Sequence, residues 1–368
     1  MGDAMVSSVT EFTGSAGGKR EFGAGVQEIF SIVLIALAVA CVGMWPQKAW
    51  SQQANAGYQP AEWAKIVAAA KSEGTVVIYS QITPVVIERL RTDFPKLYPD
   101  IRFELSRIIT IIPKVEEERK SGSDGADIVV ISEPLWIEGL AKSGVLKTPV
   151  GPSAPAWPAD YMVARVAPVL LVEPFIIAYN TRATQASING YQDLLKPELK
   201  GKLGTVEIVS STVVAWYDWL EKTQGGDFLA KMAAQAPRRY VSSPPLNNAL
   251  ASGEIAASAF SGMSAATAMA ATGAPIKVVV PRPSFAYWQA AGVLAWSKRP
   301  NAALVAMDYL MSARAQTLWH NTGTSASVLP NIPGSMDARA MQLADMNKYT
   351  PEVVKAYTER WNSMFTAR

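Results

Sequence analysis

The feature that most constrains this chain is an alternation. Short apolar runs end in small polar residues, and each is followed by a segment of helical period. Thr75-Val76-Val77-Ile78-Tyr79 stops at Ser80-Gln81, and Pro84 then opens a stretch in which Val86, Ile87, Leu90 and Phe94 keep helical spacing. Ala126 to Ile131 is apolar at nearly every position, as a strand buried on both faces requires. It stops at Ser132-Glu133-Pro134, and Leu135 to Ser143 reads as a helix closed by Gly144. Strands alternating with helices predict an α/β fold with a mostly parallel sheet flanked by helices. Ligands of such sheets bind outside the carboxyl ends of the strands. Ser80, Gln81, Ser132 and Glu133 are therefore candidate ligand-binding residues. Taken singly, each is an ordinary turn or capping residue. Two strands ending in the same chemistry point to the set.

The remaining segments continue the pattern. Ala61 to Glu73 is an amphipathic helix, Ile101 to Leu105 an alternating strand, and Pro113 to Lys120 a charged helix. Val169 to Ala178 is strand-like but interrupted by Glu173-Pro174. Tyr191 to Lys202 reads as helix and turn, and Thr205 to Val209 as a strand. Ser210-Ser211-Thr212 then opens a helix carrying Trp216, Tyr217 and Trp219. Capping uses one hydroxyl. Three of them, at free N–H groups and a positive dipole end, suit an anion. Tyr240 to Ser242 is a strand and Pro244 to Ser252 a helix. Ala256 to Phe260 ends in Ser261-Gly262, ahead of a small-residue helix, Met263 to Thr272. Ile276 to Val280 is a strand, Ser284 to Leu294 carries Tyr287 and Trp288, and Asn301 to His320 reads as one long helix.

The first 56 residues are of another kind. Ile29 to Trp45 is uncharged and apolar, preceded by Lys19-Arg20 and followed by small residues at −3 and −1 of cuts after Ser51 or Ala56. That is the anatomy of a secretory leader, and it predicts an exported, periplasmic protein. An uncleaved anchor is the alternative, since the run is at the short limit of the roughly 17–25 residues a span needs. Lys19-Arg20-Glu21-Phe22 resembles a degenerate twin-arginine signal, and Ala38 to Cys41 resembles a lipobox with alanine where leucine is usual. Lipid anchoring through Cys41 is thus a second alternative.

Cys41 is the only cysteine and His320 the only histidine. A leader-free chain has no disulfide, no thiolate metal site and no two-histidine mechanism. Losing three basic residues (Lys19, Arg20, Lys48) and four acidic ones (Asp3, Glu11, Glu21, Glu28) moves the net charge from +3 to +4. The scattered basic residues give no nucleic-acid footprint. No cofactor-binding loop and no metal cluster is present in the sequence, and the expected state is a monomer.

The order of segments resembles the periplasmic solute-binding proteins of ABC importers, in the ferric-binding branch. The matching phrases are EGTVVIYS (73–80), GADIVVIS (125–132), GLAKSGVL (139–146), IIAYNT (176–181), YQDLLKPELKGKL (191–203), ASGEIAASAF (251–260), TGAPIKVVVP (272–281) and PNAALVAMDYLMSARAQ (300–316). The resemblance implies the type II two-lobed periplasmic-binding-protein fold. Each lobe is a mostly parallel sheet flanked by helices, and the lobes join at a hinge near 173–178 and 284–292. It divides the chain into 57–174 plus 287–330 as one lobe and 175–286 plus 331–368 as the other. It also implies a small-molecule ligand and a cognate ABC permease in the inner membrane.

The departures bear on the ligand. The family's pair of iron-binding tyrosines falls on Met263 and Ser264, and thioether sulfur does not suit ferric ion. An acidic ligand of some members falls on Ser132, with Glu133 beside it, and the residue holding the synergistic anion falls near Glu173. Glu173 stands ready for a ligand ammonium or for a salt bridge to Arg282 or Arg165. A cleft of Ser80, Gln81, Ser132, Ser210, Ser211, Thr212, Ser261 and Gly262, with Tyr287 and Trp288 nearby, favours a small organic anion or zwitterion of carboxylate, phosphonate or phosphate type. Ferric iron or an iron chelate is the alternative. A secreted hydrolase using Gly262-Met263-Ser264 is a further one, but it lacks a base other than His320. A signalling receptor is not separable from an importer component by sequence.

Overall fold

The computed structural model describes residues 58–108 and 110–366, so the leader and both cleavage sites lie outside the described residues. In chain order the elements begin with α1 (Pro60–Glu73), β1 (Thr75–Ser80), α2 (Pro84–Leu97), β2 (Arg102–Arg107), α3 (Ile111–Ser121), β3 (Ile128–Ile131), α4 (Pro134–Lys142) and β4 (Leu146–Lys147). They continue with β5 (Met162–Val163), β6 (Ala167–Asn180), β7 (Leu203–Val206), α5 (Ser211–Gln224), α6 (Phe228–Ala234), β8 (Arg238–Tyr240), α7 (Ser243–Ser252) and β9 (Ala257–Gly262). The last are α8 (Met263–Ala271), β10 (Ile276–Val279), β11 (Ser284–Leu294), α9 (Pro300–Met311), α10 (Ala313–His320), β12 (Met341–Leu343) and α11 (Pro351–Thr366).

The strands hydrogen-bond in the order β2-β1-β3-β11-β6-β9-β7-β8. β2, β1 and β3 run parallel at one end, and β9, β7 and β8 at the other. Two long antiparallel strands, β6 and β11, join the halves, with Tyr287 opposite Glu173 and Ala286 opposite Pro174. The apolar interior follows this division. One core holds Ile78, Leu90, Val130, Val172, Ala290, Val305 and Trp319; the other holds Phe175, Ile176, Trp216, Leu220, Phe260 and Phe285. β6 therefore leaves the first core at Val172 and enters the second at Phe175.

Three sequence expectations change. Pro174 does not interrupt β6, which is one strand buried along its length. It stands where the strand changes neighbours: pairing with β11 reaches Pro174 on one edge, and pairing with β9 begins at Phe175 on the other. A missing N–H is tolerable at such a handover. Tyr191 to Lys202 forms two 3-10 turns, Tyr191–Leu195 and Pro197–Leu199, because Pro197 breaks the run and the Asp193 carboxylate holds the Asn189 and Gly190 N–H groups. The long helix over 301–320 is two, split at Ser312, whose extended backbone lets its hydroxyl accept from Ala315 N and cap α10.

The chain changes cores once more near its end. Ala338 and Met341 pack in the first core, while Met346, Tyr349 and Trp361 pack in the second. β12 runs beside Ser284–Ala286 between these two groups. Among the described residues no helix is long and apolar enough to cross a membrane.

Candidate functional site

The register places the strand ends around the two crossing strands. β3 ends with Ile131 opposite Ala290, which brings Ser132 alongside Gln289. β9 ends with Gly262 opposite Phe175, which brings Ser264 alongside Glu173. α4, α5 and α8 each begin just beyond a parallel strand of their own half.

One cavity of about 10 Å³ lies in the gap between the halves, lined by Ser132 and Pro134 from the first half, Thr212 from the second, and Tyr287 and Trp288 from β11. Two larger hollows, of about 490 and 510 Å³, lie outside α2 along Glu88 and Thr92, and a third, of about 320 Å³, lies among Tyr161, Asn331 and Arg339. The first two are open grooves between charged surface side chains. The small cavity takes lining residues from both halves.

The second-half wall is the start of α5. Ser210 has extended backbone and its hydroxyl accepts from Val213 N at 3.4 Å, so it is the cap. The half-exposed Ser211 and Thr212 make no side-chain hydrogen bond to the protein among the described residues. The first-half wall is built differently. Gln81 Oε1 accepts from Ser132 N at 3.1 Å, tying the end of β1 to the end of β3. Glu133, at the start of α4, is half-buried without a cationic partner, and burial alone raises its pKa.

Two expected wall residues face elsewhere. Ser80 is fully buried and donates to Ser106 O at 3.2 Å, because β2 lies on that side of β1. Ser261 is fully buried and donates to Asn247 Oδ1 at 2.9 Å. Here both hydroxyls are engaged within the sheet and its flanking helix. Gly262 serves by having no side chain: a Cβ there would stand 3.0 Å from Glu173 Oε1.

Of the two partners the sequence offers Glu173, a ligand ammonium or a salt bridge to Arg282 or Arg165, the salt bridge is not formed. Neither Arg282 nor Arg165 reaches it, and among the described residues it is buried without a basic neighbour. Ser264 N donates to Oε1 at 2.8 Å and Ser264 Oγ to Oε2 at 3.0 Å. Burial raises the carboxyl pKa, and these bonds with one from Tyr287 oppose the rise only in part. The Tyr287 phenol is pushed up by burial first and by the Glu173 charge second. Ser264 Oγ also lies 3.3 Å from Thr324 Oγ1, so one serine joins α8, β6 and the segment after α10.

His320 is spoken for. Nδ1 lies 2.7 Å from Ser325 Oγ and Nε2 3.1 Å from Leu170 O, in the first core. Burial depresses its pKa to about 4. Among the described residues no group of three or more His, Cys, Asp or Glu side chains is placed to hold a metal ion. Residues that sequence reasoning missed are Gln289 and Ser264 in its bond to Glu173. Only the strand register brings them to the gap.

The chain matches the family model for bacterial extracellular solute-binding proteins over residues 52–324. Among curated protein sequences none matches it significantly. Its fold is similar to the substrate-binding protein of an ABC transporter from Agrobacterium tumefaciens, at 19% identity and a TM-score of 0.69, covering 81% of this chain and 97% of that one. It is also similar to the periplasmic binding protein AfuA from Actinobacillus pleuropneumoniae, solved with exogenous fructose-6-phosphate bound, at 18% identity and TM-score 0.62, covering 80% and 100%. Iron-bound HitA from Pseudomonas aeruginosa is similar at 14% identity and TM-score 0.61, covering 79% and 99%.

Proposed function

We propose that this chain, which belongs to the bacterial extracellular solute-binding protein family, is the substrate-binding component of an ABC importer and captures a small organic anion or zwitterion between its lobes. The observation that carries this reading is the cavity that Ser132 and Thr212 line together from opposite halves, over Tyr287 and Trp288. Its 10 Å³ is about the space of one water, so an organic solute enters only if the lobes part. Closure then brings both walls onto it. The Ser211 and Thr212 hydroxyls and the first N–H groups of α5 supply donors for carboxylate, phosphonate or phosphate oxygens. Trp288 and Tyr287 supply apolar area for the solute's body. The loaded protein, exported as a monomer, then docks on a membrane permease.

Two relatives in fold bracket the ligand: one holds a sugar phosphate, the other iron. The donors favour the first kind. The resemblance puts Met263 and Ser264 where iron-binding members carry tyrosines, and ferric ion prefers anionic oxygen. A hydrolytic reading has little support, since both His320 nitrogens are engaged away from the gap.

Native mass spectrometry of the purified protein, followed by a thermal-shift screen of carboxylates, phosphonates and sugar phosphates, tests the reading. One such solute should be retained or should raise the melting temperature. Turnover of generic esters, or stabilisation by ferric ion alone, would reject it.

A further inference from the structure

The crossing strands that carry Tyr287 and Trp288 to the cavity also carry buried acceptors, and among the described residues none of these is paired with a cation. Glu173 and Tyr287 are directly opposite across β6 and β11, and so are Leu171 and Gln289. Opposed residues and those two apart on a strand share a face, so Glu173, Tyr287 and Gln289 lie on one face of the crossing strands. Gln289 is 6% exposed, and its Oε1 is buried with no hydrogen-bond partner. Buried side-chain acceptors are nearly always satisfied, and an exception calls for an explanation. Glu173, 3% exposed, has its oxygens engaged only by Ser264 and Tyr287, neither a cation. A carboxylate offers about four lone-pair sites, so room for another donor remains. On the first-half wall Glu133 is also unpaired.

We propose that this face is a subsite for a protonated amine, with Glu173 as its counter-charge and Gln289 Oε1 as a second acceptor. The assignment rests on capture of a solute in the gap and narrows it. A ligand with its anionic end at Ser211-Thr212 and its ammonium at Glu173 is a zwitterion, not a simple anion. An ammonium group has three N–H donors and no acceptor, which complements the remaining lone pairs of Glu173 and the unpartnered Gln289 Oε1. Buried carboxylates are ordinarily paired or neutralised, and an ammonium from the ligand does the pairing only when the lobes close.

The test uses ω-amino acids of two to six carbons, each against the alkanoate without the amine, by calorimetry. At least one amino acid should bind tenfold or more tighter than its alkanoate. Glu173→Gln retains an acceptor for Ser264 and should weaken the amino acid by tenfold or more while leaving the alkanoate unchanged. Gln289→Leu removes the unpartnered acceptor. It should weaken the same amino acid with no fall in melting temperature. Equal affinity for amino acid and alkanoate, or indifference to Glu173→Gln, makes Glu173 a latch for α8 and overturns the proposal; anion capture then stands. Failure of the whole series to bind also overturns it, and anion capture is judged separately from the Ser211 and Thr212 variants below. Saturable calcium binding lost in Glu173→Gln assigns the oxygens to a metal and has the same consequence.

Discussion

Replacing Ser211 by Ala and Thr212 by Val should abolish most anion binding and leave the fold in place. The choice of pair comes from the hydrogen bonds. Ser210 is the cap of α5, and its loss would cost about 0.5–2 kcal/mol of stability, confusing any binding measurement. Among the described residues the Ser211 and Thr212 hydroxyls make no hydrogen bond, so removing them leaves no orphaned partner there. Valine keeps the shape of threonine at the cavity wall. Each hydroxyl on a charged ligand oxygen is worth roughly 1.5–3 kcal/mol. Two such bonds set an upper bound of about 3–6 kcal/mol, and water occupying part of the emptied space recovers some of it. A tenfold to thousandfold rise in dissociation constant is the expected range. Titration calorimetry with the solute identified by mass spectrometry reads the affinity, and thermal unfolding of the free protein is the control. The free double variant should melt within a few degrees of wild type. Unchanged affinity would show that the start of α5 does not hold the ligand, and the reasoning from unpartnered hydroxyls would fail.

The lone histidine makes a pH prediction. His320 is held neutral in the core with a pKa of about 4, against 6.5 for an unperturbed side chain. The unfolded chain therefore binds the proton more readily, so stability is full above pH 6.5 and falls as pH drops toward 4. The difference corresponds to about 3 kcal/mol. Urea midpoints between pH 7 and 4 should fall more steeply for wild type than for His320→Gln; parallel slopes would contradict the assignment. A second prediction concerns iron. Tyrosinate–iron charge transfer is coloured, and with Met263 and Ser264 at the start of α8 the protein should stay colourless in ferric citrate. A visible band with stoichiometric uptake would restore the iron reading.

Much of the architecture was legible because it rests on local pattern. Short, β-branched apolar runs bounded by turn residues, such as Ile128–Ile131, read as buried strands, and the prolines at 84 and 134 mark helix starts that the structure keeps. What misled was residue chemistry read without its neighbours. Pro174 suggests a break, yet at a change of pairing partner the absent N–H costs nothing. No Gly or Pro lies near Ser312, so the split between α9 and α10 was invisible; a side-chain cap competes with the backbone there. In the site, Ser132 and Thr212 reach the cavity while Ser80 and Ser261, of the same chemistry, are consumed by strands and helices behind them. Sequence shows that a hydroxyl ends a strand. Which side of the sheet takes it depends on neighbours far along the chain. Gln289 and the Ser264–Glu173 bond arise from register between elements remote in sequence, which no local pattern encodes.

The central claim is that ligand brings the lobes together over the gap. The chain has one cysteine, Cys41, so with Cys41→Ser a spin label can be set on each half without interference, at exposed Lys142 in α4 and exposed Lys222 in α5. Double electron–electron resonance then reads the distance between the halves directly. The account predicts a broad, longer distribution for the free protein and a narrower, shorter one at saturating ligand. A distribution unchanged by saturation would contradict it.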